Sequence, residues 1–230
     1  MASTHHTSPV TTVRRYTAGA RLNHWVTAIS LILLALSGMA LFHPSLYFLT
    51  GLFGGGEFTR FIHPWIGVVL MLSFLGLFLR FWRLNLWRHV DNEWLMKIRI
   101  VLAGREEDLP ELGKYNAGQK LVFWSMSILI VMLFVSGIAI WNAQHSFFQG
   151  LGLAFTIEQQ RVAVLVHAAA AVVAILVWIS HVYAAFWVKG TVSAMTRGTV
   201  TGGWGWRHHR KWLREELTRE RHGDNHTPAE

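Results

Sequence analysis

The sequence predicts an all-α integral membrane protein: a bundle of four membrane-spanning helices with both termini in the cytoplasm. Three observations carry this reading. Hydrophobic residues make up 52% of the 230 and charged ones 15%, where soluble domains carry about 25% charged residues. The apolar residues gather in four long stretches almost free of charge. The Lys and Arg are divided between the two sides of those stretches very unequally, 19 of the 21 falling on one side.

The spans are expected at 22–42, 61–80, 120–141 and 161–188. A helix crossing the hydrocarbon core needs about 20 mostly apolar residues, and the first three stretches have that length. The fourth is longer, which implies tilt or projection beyond the bilayer. Pro44 and the glycines from Gly51 to Gly56 end the first span. Pro64 is expected in the first turn of the second, where its missing N–H costs little. A soluble bundle would show a polar stripe at helical period; segments such as ISLILLAL (29–36) have almost none.

Four spans put both termini on one side, together with the loop from Arg80 to Lys120. The opposite side holds Arg60 and Arg161 as its Lys and Arg complement. The positive-inside rule then makes the terminal side cytoplasmic, and the formal charge of +8 is a topology signal that needs no nucleic acid. Trp25, Trp82, Trp87, Trp124 and Trp187 fall near the inner ends, and Trp65 and Trp141 near the outer ends, as in two interfacial aromatic belts. The division expected is a tail over 1–20, a four-helix domain over 21–190 and a cytoplasmic extension over 191–230. The first 20 residues lack an apolar signal core, so no cleavable signal peptide is expected. Asp91 to Leu102 reads as a short interfacial helix, Lys120 as a cation available to a site at the inner interface or, more plainly, as an interface anchor, and the tail after Gly202 as a docking or solvated extension, disordered at its end. LSGMALF and VSGIAIW, in the first and third spans, are similar; close helix packing by small residues accounts for that.

The chain has no Cys, which excludes disulfides, thiolate zinc sites, Cys-ligated iron–sulfur clusters and covalent haem attachment. A metal must rest on other side chains, and the 13 His stand out. His5, His6, His43, His89, His145, His208, His209, His222 and His226 lie in tails, loops or helix ends, where water satisfies them. His24, His63, His167 and His181 lie inside the apolar spans, where an ionisable group is costly and points to function.

His167 and His181 are 14 residues apart on one helix, which places them on one face, about 40° short of four whole turns, and about 21 Å apart along the axis. By depth the four sort into two pairs, His24 with His181 at the inner end and His63 with His167 at the outer end. Each pair can clamp one flat macrocycle. Zinc needs its ligands at one point, so two b-type haems fit better. Bis-histidine ligation closes the iron and suits electron transfer. Ala168 to Ala171, Gly38, Gly67 and Gly137 provide clearance.

The segments RYTAGARLNHWVTA (15–28), FIHPWIGVV (61–69), GKYNAGQKLVFW (113–124) and HVYAAFWVKGTVSAM (181–195) resemble the membrane cytochrome b gamma subunit of respiratory formate dehydrogenases of the N and O type. YN-x-GQK and WVKGT-x-x-AM are the more specific motifs. The resemblance implies the same four haem ligands, His24, His63, His167 and His181, and two haem b in a bacterial inner membrane. It implies an iron–sulfur beta subunit that delivers electrons at the outer face, and an alpha subunit that oxidises formate at a molybdenum or tungsten cofactor. It also implies a quinone site, menaquinone or ubiquinone, beside the inner haem, lined by Asn116, Gln119 and His181. Asn116 and Gln119 also read as helix-start residues. Two other readings compete: the cytochrome b of a nickel–iron hydrogenase or another molybdoenzyme, and a haem-free membrane anchor whose His bond between helices.

Overall fold

A computed structural model describes residues 12–105, 109–142 and 154–222. Among these residues four helices are long and apolar enough to cross a membrane: α1 (Ala18–Phe42), α2 (Gly56–Phe81), α5 (Ala117–Asn142) and α6 (Ile157–Trp187). The shorter helices are α3 (His89–Met96), α4 (Ile98–Leu102), α7 (Thr191–Thr196), α8 (Gly202–His208) and α9 (Arg210–Arg221). A 3-10 helix, Pro44–Phe53, joins α1 to α2, and another, Trp82–Asn85, follows α2. The fold class is all-α, as the sequence predicts, apart from one small antiparallel pair. In it β1 (Thr12–Arg14) and β2 (Thr199–Thr201) place Val13 opposite Val200.

The helix starts follow from their caps. Asn116 and Gln119 cap α5 reciprocally: the Gln119 N–H donates to Asn116 Oδ1 at 2.9 Å, and the Asn116 N–H to Gln119 Oε1 at 3.0 Å. Thr156 and Gln159 do the same for α6. Each box satisfies two N–H groups that the first turn leaves open. His43, expected to be met by water, accepts from the Ser45 N–H at 3.2 Å and so caps the 3-10 helix.

The start of α2 corrects the sequence reading. Pro64 lies in its third turn, because the helix begins at Gly56. Gly54 and Gly55, at φ 82° and 107°, reverse the chain there. Gly56 is buried against Tyr47, whose ring occupies the space a Cβ would need. Pro64 therefore removes the helical hydrogen bond to the Arg60 carbonyl, immediately after His63.

The chain divides into two compact units. The first, Leu22–Trp82 with Leu121–Tyr183, holds most of the four long helices. Leu70, Phe74 and Ile130 form one core cluster, packed by Leu31, Leu34 and Met126. Leu129, Ala170 and Ala174 form another, so Ala170, expected to give clearance, instead closes the contact between α5 and α6. Large apolar side chains such as Ile29, Leu72, Ile128 and Leu165 stay exposed, as lipid-facing residues do. Polar side chains point inward: Ser30, Ser37, Ser127 and Ser136 are buried. Ser37, Ser127 and Ser136 return their hydroxyl protons to the preceding turn, at 2.6–2.7 Å.

Among the described residues, the second unit comprises 12–21, Arg83–Lys120 and 184–222. The sequence underread it. The Arg15 guanidinium lies 4.8 Å from the Trp204 ring and 4.6 Å from that of Trp212, a cation between two aromatic faces, and it donates to the Lys114 carbonyl. Trp204, Trp212 and Leu213 are buried, so the described part of the tail is docked. Residues 223–230, and with them the expected disordered end, lie outside the described residues, as do His5, His6, His145 and His226. Asp91 to Leu102 is broken at Lys97 into α3 and α4. Lys120 is no interface anchor: its ammonium meets Asp91 at 2.7 Å, with both side chains buried.

His209, expected to be solvated, is 1% exposed, and its Nδ1–H donates to the Gly113 carbonyl at 2.7 Å. Burial, then the nearby Arg15 charge, holds its pKa well below the usual 6.5. A depressed histidine pKa makes the unfolded form the better proton acceptor. Its stabilising contribution is then complete above about pH 6.5 and is lost as the pH falls toward the folded value. Amides of α8 and α9 should be less protected at pH 5 than at pH 7.5, once the slower intrinsic exchange at the lower pH is divided out. His209→Gln, which keeps a donor for Gly113, should flatten that dependence; hydrogen-exchange mass spectrometry measures both.

Candidate haem-binding site

The four histidines of the long helices come together as two pairs. His24, in the second turn of α1, faces His181 of α6 with ring centroids 6.4 Å apart and planes crossed at 54°. His63 of α2 faces His167 of α6 at the same 6.4 Å, with planes crossed at 65°. Two imidazoles bound trans to one metal at about 2 Å per metal–nitrogen bond have centroids about 6.3 Å apart. Both pairs have that spacing, and α6 supplies one member of each. Among the described residues no three His, Asp or Glu side chains converge on a point, which disfavours a tetrahedral zinc centre.

The surroundings fit a flat macrocycle held through histidine. Ser37 Oγ lies 2.7 Å from His63 Nδ1, and Ser136 Oγ lies 3.0 Å from His167 Nδ1. Each hydroxyl also lies within hydrogen-bond distance of a carbonyl one turn back, that of Leu33 or Met132. A ring that keeps its Nε2 lone pair for a metal carries its proton on Nδ1, and in that tautomer it donates to the serine oxygen while the hydroxyl proton goes to the carbonyl. The residue after each Ser is Gly. A Cβ on Gly38 would lie 3.5 Å from His63 Cε1, and one on Gly137 would lie 3.4 Å from His167 Cε1. Gly67, one turn beyond His63, has no neighbour within 4 Å of where its Cβ would be, and so leaves open space on the helix surface. His24 Nδ1 is buried with no hydrogen-bond partner among the described residues.

The sequence model of the prokaryotic cytochrome b561 family matches residues 15–198. The chain belongs to that family. It is a multi-pass membrane cytochrome b, and the family carries haem b. It is 42% identical over 204 residues to the "Formate dehydrogenase, cytochrome b556(fdo) subunit" of Escherichia coli K12, covering 89% of this chain and 93% of that one. It is 38% identical to the nitrate-inducible cytochrome b556(Fdn) subunit of the same organism, over 85% and 87% of the two chains. It is 35% identical to the formate dehydrogenase cytochrome b556 subunit of Haemophilus influenzae, over 90% and 84%. The resemblance read from the four sequence segments is thus to the same group of proteins.

In this cytochrome b, Asn116 and Gln119, expected near a quinone, spend their side-chain oxygens on the α5 cap. Their amide NH2 groups remain as donors. Sequence reasoning missed Ser37 and Ser136. Their signal was the LSGMALF and VSGIAIW similarity, in which the Ser-Gly step recurs opposite one histidine each.

Proposed function

We propose that this chain is the quinone-reducing cytochrome b subunit of a formate dehydrogenase complex in a bacterial inner membrane. The observation that carries the reading is the pair of 6.4 Å histidine contacts in a chain 42% identical to a formate dehydrogenase cytochrome b556 subunit. His24 and His181 would hold one haem b, and His63 and His167 the other. When bound, the two haems supply one-electron carriage between an iron–sulfur beta subunit and a quinone, menaquinone or ubiquinone. Formate oxidation belongs to the alpha subunit.

The chain's own part is to position and to insulate. The histidines fix two redox centres at different depths inside apolar helices. The distribution of Lys and Arg supports cytoplasmic termini, with His24, His181, Asn116 and Gln119 toward that side. Asn116 and Gln119 would orient the quinone through their NH2 groups, neither being able to titrate. The quinone takes two electrons and two protons, the protons coming from cytoplasmic water. Moving each charge across the membrane stores about 2.3 kcal/mol per 100 mV, so the arrangement contributes to proton motive force.

Gentle detergent purification with a reduced-minus-oxidised spectrum and mass spectrometry of partners tests the reading. Two b haems per chain and a copurifying molybdenum or tungsten formate dehydrogenase are expected. A nickel–iron partner would replace the complex assigned, and a spectrum without haem bands would leave a membrane anchor. The quinone role has its own test. Asn116→Ser retains a capping oxygen and loses the NH2, whereas Asn116→Leu loses both. Both should slow quinone reduction several-fold while formate still reduces both haems. Stopped-flow spectra in which Asn116→Ser turns over quinone at the parental rate would reduce Asn116 to a cap.

A further inference from the structure

We propose that Ser37 and Ser136 are positioning residues that set the order of the two redox potentials. They make the centre at His63 and His167 harder to reduce than the centre at His24 and His181. The proposal rests on the haem reading above and goes beyond it.

Both members of the His63/His167 pair share one arrangement. A buried serine on a neighbouring helix lies 2.7 or 3.0 Å from Nδ1. With Nε2 turned to a metal, the ring donates from Nδ1 and the serine gives its own proton to a backbone carbonyl at 2.7 or 2.6 Å, which polarises the oxygen as an acceptor. Accepting the Nδ1–H leaves more negative charge on the imidazole and makes Nε2 the stronger donor. A stronger donor stabilises the ferric state over the ferrous, and hydrogen bonding of this kind is one of the protein's controls on haem potential. The other pair differs. Among the described residues, His24 Nδ1 is buried and has no partner, and no serine contact of this kind is seen at His181, so that pair receives no such enhancement. The protein therefore supports two chemically identical bis-histidine sites unequally.

The inequality has a direction. With haem bound, one electron passed from the His63/His167 site to the His24/His181 site would oxidise the first by one unit and reduce the second by one unit. No proton or further reactant is involved. That transfer runs from the lower to the higher potential, toward the side where the quinone is proposed to bind. Ser37 and Ser136 thus act on the driving force of the internal step and touch neither electron donor nor quinone.

The test is a potentiometric titration of the purified complex, followed optically and by electron paramagnetic resonance. It compares the parental protein with Ser37→Ala, Ser136→Ala, the double variant, and Ser37→Thr with Ser136→Thr. Each alanine should raise the lower of the two midpoint potentials and leave the other in place. The double variant should raise it further, and threonine, which keeps the hydroxyl, should restore it. An unchanged potential in the double variant overturns the proposal, as does a shift of both centres alike or one that threonine reproduces. If an alanine variant loses one haem, retention of that haem in the threonine variant supports the positioning role, and its loss from both overturns it. A parental complex without haem would sink the underlying reading instead, so the two failures are distinct.

Discussion

On the proposed reading of two haems per chain, His63→Ala should leave one, and His24→Ala should do the same at the other position. Within each pair the rings are 6.4 Å apart, so each proposed haem would be held by two imidazoles with no near substitute. Among the described residues no third His, Asp or Glu stands by to replace a lost imidazole. Alanine in its place cannot donate to a metal, and it opens a cavity where the ring stood. A pyridine haemochrome assay per mole of chain should fall by half in each single variant and to zero when both are combined. His167→Ala should remove the same spectral component as His63→Ala, and His181→Ala the same component as His24→Ala. Two haems per chain in any single variant would refute the pairing.

Lys120→Met should destabilise the protein by about 3–5 kcal/mol, the cost of leaving one partner of a buried ion pair alone. Asp91 is fully buried and Lys120 nearly so, with 2.7 Å between their charged atoms. The Lys120 ammonium also donates to the Leu86 carbonyl at 3.1 Å. Asp91 Oδ2 further accepts the Arg88 N–H at 2.7 Å, capping α3. Without the ammonium the buried carboxylate is left as an uncompensated charge. Adding Asp91→Asn should recover most of the loss, because asparagine is neutral and keeps an oxygen for the cap. Thermal melts of the detergent-solubilised complex, followed by tryptophan fluorescence, provide the comparison. A single variant as stable as the parent would show that the pair is solvated.

The spans were legible because hydrocarbon imposes a simple rule: length and the absence of charge suffice to find them. The proximity of the histidine pairs was legible for a related reason. A titratable side chain inside an apolar run is conspicuous, and 3.6 residues per turn fixes which face and depth it occupies. Ser37 and Ser136 escaped notice because a serine that bonds back to its own helix is ordinary in apolar helices. Its second partner, 26 or 31 residues away in sequence, depends on how helices pack. Pro64 was misplaced because the start of α2 is decided by Gly54, Gly55 and the Tyr47 ring rather than by hydrophobicity. The burial of Arg15, His209 and Lys120 was invisible for the same reason. Arg15 meets Lys114, Trp204 and Trp212 across large gaps in sequence, and no local pattern announces such contacts.

Because α6 supplies one imidazole to each pair, it acts as a gauge block for the whole molecule. The two centres cannot be tuned apart by changing its length. One residue inserted between His167 and His181 would turn one ring away from its partner by about 100° and shift it by about 1.5 Å. Related chains should therefore differ freely in the connections around α6 while keeping the count between its two histidines. Point substitutions along α6 can alter fit, but an indel there would dismantle at least one centre outright.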